Sequence, residues 1–99
     1  MIVEYSSASG LRLLEPNDFR KFKVVLRAPL ATSQPLIDGV TFIDEANALV
    51  RINVAPCLPG VPDNAEWQAG YDKMVGAARS HGWIDETRGA IRAHVEWVD

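Results

Sequence analysis

The sequence predicts one α+β domain over residues 1–99, with a long helix packed on one face of an antiparallel sheet of four to five strands. Alternation of apolar and polar residues marks 48–54 and 89–98 as strands. An apolar stripe at helical spacing marks about 63–81 as a helix, so that a final strand follows it. Apolar residues make up 47% of the chain and charged residues 23%, which suits a single core between two layers.

The first quarter of the chain predicts short strands but leaves one segment ambiguous. Strands are expected at 2–6 and 11–14, around turn residues at 7–10. Further on, Phe19, Phe22 and Leu26 recur at helical spacing. The β-branched and aromatic residues crowded into the same stretch favour a strand over 21–28. If this segment were a helix, the element order would be βαββαβ, the ferredoxin-like arrangement.

The middle of the chain predicts a loop, a hairpin and a stiff connection. A loop is expected over 29–39, between prolines and a glycine. A strand over 40–43 then turns through Asp44-Glu45-Ala46-Asn47 into the returning strand at 48–54. Three prolines spaced every third residue predict an extended crossover over 55–62.

The helix has recognisable start and stop signals. Asp63 with Glu66 three residues later matches a capping box, and Gly82 supplies the stop. Gly70 and Gly76 each cost about 1 kcal/mol relative to alanine inside a helix. We therefore expect another element to pack closely against them. The stripe predicted to face the sheet is Trp67, Tyr71, Met74, Val75 and Ala78.

The last strand carries the most informative pattern in the chain. Alternation puts Ile91, Ala93, Val95 and Trp97 on the face toward the helix. The residues between them are a cation, a base and an acid, and they lie in one row on the other face. These residues are Arg92, His94 and Glu96.

This row predicts a candidate site on the uncovered face of the sheet. Arg51 and Asn53 share that face on the hairpin strand, and adjacent strands would bring all five residues together. His94 is the candidate catalytic base because histidine changes charge near neutral pH, and Glu96 could orient it. Arg51, Asn53 and Arg92 are the candidate ligand-binding residues. One alternative is an ordinary solvated sheet face, which shows the same alternation, and the other is a polar dimer interface.

Several classes of function lack support in the sequence. There is no glycine-rich phosphate loop, paired-cysteine motif or serine-hydrolase motif, and we expect no cofactor. His94 and Glu96 supply two potential metal ligands where a site needs at least three, so no metal is expected. Cys57 is the single cysteine, which precludes an internal disulfide, and it is expected to be a small buried residue.

Charge and hydropathy restrict the expected partners and location. The net charge is −3, and the basic cluster over 20–27 is short, so nucleic-acid binding is not expected. No apolar run approaches the roughly 18–20 residues of a membrane span, and the first residues do not resemble a secretory signal. We expect a soluble cytoplasmic protein.

The expected function is that of a small non-catalytic binding or accessory domain. A sheet covered by one helix on one face only leads us to expect self-association as a homodimer. A small apolar or anionic molecule is the candidate ligand. The alternative is a cofactor-independent enzyme of the lyase, isomerase or oxygenase type, with a pocket centred on His94.

Overall fold

One helix packs against a mixed β-sheet in the computed structural model, which describes residues 1–28, 30 and 35–98. The α+β class is therefore confirmed. Within the described residues the helix is α1 (Ala65–Ser80), and a 3₁₀ turn covers Ala55–Cys57. The strands are β1 (Ile2–Ser6), β2 (Gly10–Leu14), β3 (Lys23–Arg27), β4 (Val40–Phe42), β5 (Asn47–Arg51), β6 (Ile84–Asp85) and β7 (Ala90–Val98).

The sheet is larger than predicted and is not purely antiparallel. Its order is β2-β1-β3-β7-β5-β4, with β6 pairing separately with β7. β3 lies between β1 and β7 and runs parallel to both. Parallel neighbours are joined by long connections rather than hairpins. Alternation reports which face a residue occupies but not which strand lies beside it, so the prediction of four to five antiparallel strands was wrong.

The ambiguous segment after residue 19 forms a central strand. Val24 and Leu26 of β3 are fully buried, while residues 15–20 form the turns that precede the strand. The preference for a strand is thus confirmed. The ferredoxin-like alternative is wrong, because α1 is the only α-helix in the described residues.

The apolar stripe of α1 faces the sheet as predicted. Trp67, Tyr71, Val75 and Ala78 are buried in one core with both halves of the sheet. The Trp67 indole Nε1 donates a hydrogen bond to the Pro16 carbonyl at 2.8 Å. The Tyr71 hydroxyl donates one to a backbone carbonyl of the segment after β5 at 2.7 Å. These bonds satisfy the polar atoms of two large buried rings.

The ends of α1 differ slightly from the prediction. Asn64, not Asp63, caps the helix, because its side-chain oxygen accepts a hydrogen bond from the Trp67 backbone N–H at 2.7 Å. Asparagine is as good an N-cap as aspartate, so the sequence offered two adjacent candidates. Gly82 follows the helix with φ of 76°, which confirms it as the stop.

The connection from β5 to α1 is not the extended crossover predicted over 55–62. It contains the 3₁₀ turn and a second turn at 59–60, because proline also suits the first turn of a helix. The Pro59 carbonyl accepts a hydrogen bond from the Leu13 N–H at 2.9 Å. Gly60 has φ of 100° and lies so close to Leu13 that a Cβ would overlap its carbonyl. This connection therefore covers the outer edge of β2.

Three smaller predictions need correction. The returning hairpin strand ends at Arg51, since 52–54 form a turn, and β6 was not predicted. Cys57 is exposed rather than buried. Trp97 is 45% exposed, because β5 pairs with β7 only as far as His94 and leaves Trp97 with a neighbouring strand on one edge. Residues 29 and 31–34 of the predicted 29–39 loop lie outside the described residues.

Glu4 is a buried charge on the sheet face away from the helix. It is 1% exposed, and its carboxylate accepts hydrogen bonds from Arg12 Nε at 2.6 Å and Arg27 Nε at 2.5 Å. The two arginines come from β2 and β3, so the ion pairs connect three strands. Burial raises the pKa of Glu4, but the hydrogen bonds from Arg27 and Arg12 and their charges outweigh burial and leave the pKa below its usual value.

The two helix glycines should respond oppositely to alanine. A Cβ on Gly70 would lie 2.6 Å from the Phe19 ring, whereas one on Gly76 would meet no atom within 4 Å. Gly76→Ala should raise the free energy of unfolding by about 1 kcal/mol. Gly70→Ala should lower it by about 1 kcal/mol or more, because the Phe19 ring must move. Urea denaturation measures both, and equal gains would show that Phe19 moves freely.

Acid should remove the stabilisation that Glu4 provides. The folded-state pKa is depressed, so the contribution is complete above the unfolded-state pKa of about 4.3 and is lost as pH falls through the folded-state value. Glu4→Gln should lower the free energy of unfolding at pH 7 by roughly 1–3 kcal/mol. It should also flatten the pH dependence of that free energy below the unfolded-state pKa of about 4.3. The control is Glu45→Gln at an exposed turn position, which should change it by less than about 0.5 kcal/mol. Equal acid sensitivity in all three proteins would contradict this role of Glu4.

Candidate functional site

A cleft of about 580 Å³ lies where the sheet is interrupted beside β7. β5 occupies one edge of β7 from Ala90 to His94. β6 and β3 therefore share the other edge, β6 at 90–91 and β3 from His94 onward. At 92–93 neither strand pairs with that edge, apart from a 2.8 Å hydrogen bond from the Arg92 N–H to the Trp83 carbonyl. This gap forms the cleft.

Five parts of the chain line the gap, one of which is Asn47 of β5. Residues 19–22, before β3, form one side, and Trp83, before β6, forms the other. The last turns of α1 contribute apolar side chains and His81. Residues 91–94 of β7 form the floor. The gap lets both faces of β7 contribute. Ile91 and Ala93 lie on the helix side, and Arg92 and His94 lie on the opposite side.

Every charged or ionisable residue lining the cleft is basic. No aspartate or glutamate lines it among the residues that the structure describes. Two carboxylates outside the lining pair with lysines: Asp18 lies 3.8 Å from Nζ of Lys21, which lines the cleft, and Glu96 lies 3.0 Å from Nζ of Lys23, which does not. The cleft thus concentrates positive charge in a chain of net charge −3. Its basic residues are Arg20, Lys21, His81, Arg92 and His94.

An exposed tryptophan is held in place at the rim. Trp83 is 53% exposed, and its ring stacks on His81 with centroids 4.6 Å apart and planes 23° apart. The backbone N–H of Trp83 donates a hydrogen bond to the Ala78 carbonyl at 2.9 Å, and the Trp83 carbonyl accepts one from the backbone N–H of Arg92. Two flat rings therefore stand beside the cleft on a fixed backbone.

Of the predicted catalytic pair, His94 lines the cleft and Glu96 does not. Glu96 instead accepts a hydrogen bond from Lys23. This bond is the main cause that holds the pKa of Glu96 below its usual value, and the charge of His94 contributes less. The principal partner of Glu96 is therefore Lys23 rather than the histidine.

Of the predicted ligand-binding residues, Arg92 lines the cleft and the other two lie elsewhere. Arg51 is exposed at the end of β5, opposite Ala90. Asn53 lies in the turn that follows β5 and is also exposed. β5 and β7 are neighbours, as the sequence analysis required, but their register places Arg51 and Asn53 away from His94.

Sequence reasoning missed one residue that the register places next to His94. Asn47 is the β5 partner of His94 and lines the cleft. Its side-chain nitrogen donates to the Asp44 carboxylate at 3.1 Å, and the Ala46 N–H donates to the same carboxylate at 2.8 Å. These bonds lower the pKa of Asp44. Asn47 was assigned to the hairpin turn, where asparagine is common, so its position in the strand was not anticipated.

The remaining missed residues come from distant parts of the chain. Arg20 and Lys21 were recognised as part of a basic cluster, but nothing indicated that they would face His81 and Trp83. The only local signal is that Arg20 and Lys21 lie between Phe19 and Phe22, two residues that pack toward the core. The contact between these segments depends on the parallel pairing of β3 with β7.

A second, smaller cleft of about 400 Å³ lies beside Cys57 at the start of α1. No histidine lines it among the described residues, and histidine is the base that usually activates a catalytic cysteine. Across the part of the chain that the structure describes, no three histidine, cysteine or carboxylate side chains are grouped to hold a metal ion. No helix in that part is long and apolar enough to cross a membrane.

Comparison of the chain with models of protein families, with curated proteins and with solved structures finds no match.

Proposed function

We propose that this protein is a small-molecule-binding domain and that the cleft beside β7 is its binding site. The observation that carries the proposal is a cleft of about 580 Å³ that combines aromatic and aliphatic walls with a few convergent polar groups. Small-molecule sites typically have volumes of about 300–1,000 Å³ and this mixed lining.

The lining favours binding over catalysis. Among the described residues, no carboxylate, hydroxyl or thiol group lines the cleft, so any proton transfer would depend on His81, His94 or Lys21. A histidine base is usually oriented by a third group such as a carboxylate. Glu96 is the nearest candidate along β7, and it is engaged by Lys23.

A cofactor-independent enzyme is the second candidate, because His94 lines the cleft and Arg92 lies on the same face two residues away. Such an enzyme would use His94 as a general base and Arg92 to stabilise a developing negative charge. Turnover of a bound compound that requires His94 would favour this candidate over the binding domain.

Self-association as a homodimer remains a prediction. Four large apolar side chains are exposed among the described residues, and a second copy would remove part of this apolar area from water. They are Leu36, Ile43, Trp83 and Trp97. The sheet edges are poor candidates for strand addition, since β4 has three residues and residues 59–60 cover β2. Sedimentation equilibrium at micromolar concentrations should give the mass of two 10.9 kDa chains. A monomer mass over the whole range would contradict the prediction.

Filling the cleft with a larger side chain should weaken binding without unfolding the protein. Ala77 is an exposed helical residue that lines the cleft, and Ala69 is an exposed helical residue that does not. Ala77→Leu should weaken the binding of aromatic fragments by about tenfold or more, which corresponds to roughly 1.4 kcal/mol. Ala69→Leu is the matched control and should bind as the natural protein does.

The measurement is an NMR titration with a set of neutral and charged aromatic fragments. Bound fragments should shift the Trp83 indole and the amides of 91–94, while the Trp97 indole reports non-specific binding. If no fragment shifts the cleft residues, or if Ala77→Leu binds as the natural protein does, the cleft is not the site.

A further inference from the structure

We infer that the ligand of the cleft is a small aromatic anion, a flat ring system that carries one carboxylate or phosphate group. This inference rests on the proposal that the cleft binds small molecules, and it adds the chemical class of the ligand. Two independent features of the lining carry it: two arginines that have no ion-pair partner among the described residues, and an aromatic wall.

The protein neutralises only part of the charge of the lining, because Lys21 pairs with Asp18 at 3.8 Å while the two arginines have no such pair among the described residues. Neither Arg20 nor Arg92 forms a side-chain ion pair within the described residues. Asp44 is near enough for the charge of Arg92 to lower its pKa, but that effect is the smallest of those acting on Asp44. Its carboxylate already accepts hydrogen bonds from Ala46 and Asn47. An anion placed between the two guanidinium groups would supply the missing negative charge.

The two arginines suit an oxyanion and approach it from different elements. Arg20 precedes β3 and Arg92 lies on β7, so the two sit on separate chain segments that meet at the gap. A guanidinium group offers a planar set of donors that matches carboxylate and phosphate oxygens. Lys21 lies on the same side, where it pairs with Asp18 at 3.8 Å.

The wall of the cleft suits a flat apolar body. The stacked rings of His81 and Trp83 stand on one side and Phe22 on the other. The Trp83 backbone is bonded at both its N–H and its carbonyl, and its ring stacks on His81, so the ring loses less conformational freedom on binding than an unrestrained side chain would. Flat aromatic ligands gain stacking energy on such surfaces.

The surroundings favour a small anion over a nucleic acid. Three carboxylates lie around the cleft, each close to one of its basic residues. They are Asp18 beside Lys21, Asp44 near Arg92 and Glu96 near His94. These carboxylates would repel a long phosphate backbone that extends beyond the cleft. A single anionic group inside the cleft avoids them.

The test compares three naphthalene compounds of the same shape in NMR titrations at fixed ionic strength. The probes are 2-naphthoate, 2-naphthyl phosphate and the neutral 2-naphthamide. At least one anion should bind about tenfold or more tightly than the amide, as one charge-assisted arginine hydrogen bond predicts. The anion that binds more tightly shows whether the site prefers a carboxylate or a phosphate group.

Substitutions of the two arginines test whether they recognise the anionic group. Arg92→Gln and, independently, Arg20→Gln should weaken the preferred anion by about tenfold while changing the affinity for the amide less than about twofold. Lys73→Gln removes the same charge from an exposed helical position outside the cleft and should leave both affinities unchanged. The dispersion of the amide spectrum verifies that each variant is folded.

The outcomes separate this inference from the proposed function. If the amide binds the cleft as tightly as both anions, or if neither arginine variant discriminates between them, the inference is overturned and the small-molecule site stands. If none of the three compounds shifts the cleft residues, the inference is likewise overturned. The proposed function then falls as well only if the fragment set also leaves those residues unshifted.

Discussion

The pairing of β7 is the constraint on which the rest of the structure depends. Its nine residues run through the middle of the sheet, and the backbone groups on both edges require partners. β5 satisfies one edge along the first half of the strand. Two separate short strands satisfy the other, β6 at the start and β3 toward the end. Neither of these two strands reaches 92–93, and the cleft forms at this interruption.

This interruption gives the cleft its chemical character. A continuous sheet would keep the apolar face of β7 apart from its polar face, because alternate residues of the strand point to opposite faces. At the gap, the aliphatic residues under α1 and the basic residues of the opposite face line the same space. Residues 19–22 and Trp83 add rings and cations from two further segments. A mixed apolar and cationic site thus arises from a missing strand contact rather than from a dedicated loop.

Charges elsewhere on the open face have a structural role. Glu4 is buried between Arg12 and Arg27, and Lys23 bonds Glu96, so these groups join neighbouring strands. Removing one member of a buried pair leaves the other without its partner, which is costly. The arginines of the cleft have no such partners among the described residues. The molecule therefore separates charges that hold strands together from charges that remain available to a ligand.

The sequence by itself determined the α+β class, the helix with its buried stripe, the hairpin turn and the two faces of the last strand. These features depend on local periodicity and capping, which short stretches of sequence carry. It also placed His94 and Arg92 on the face from which they reach the cleft. Only the tertiary structure decided that β3 lies parallel between β1 and β7, that Glu96 bonds Lys23 across 73 positions of sequence, and that residues 19–22 face Trp83. Such pairings join segments that are far apart in the chain, and periodicity within one segment contains no information about its neighbour.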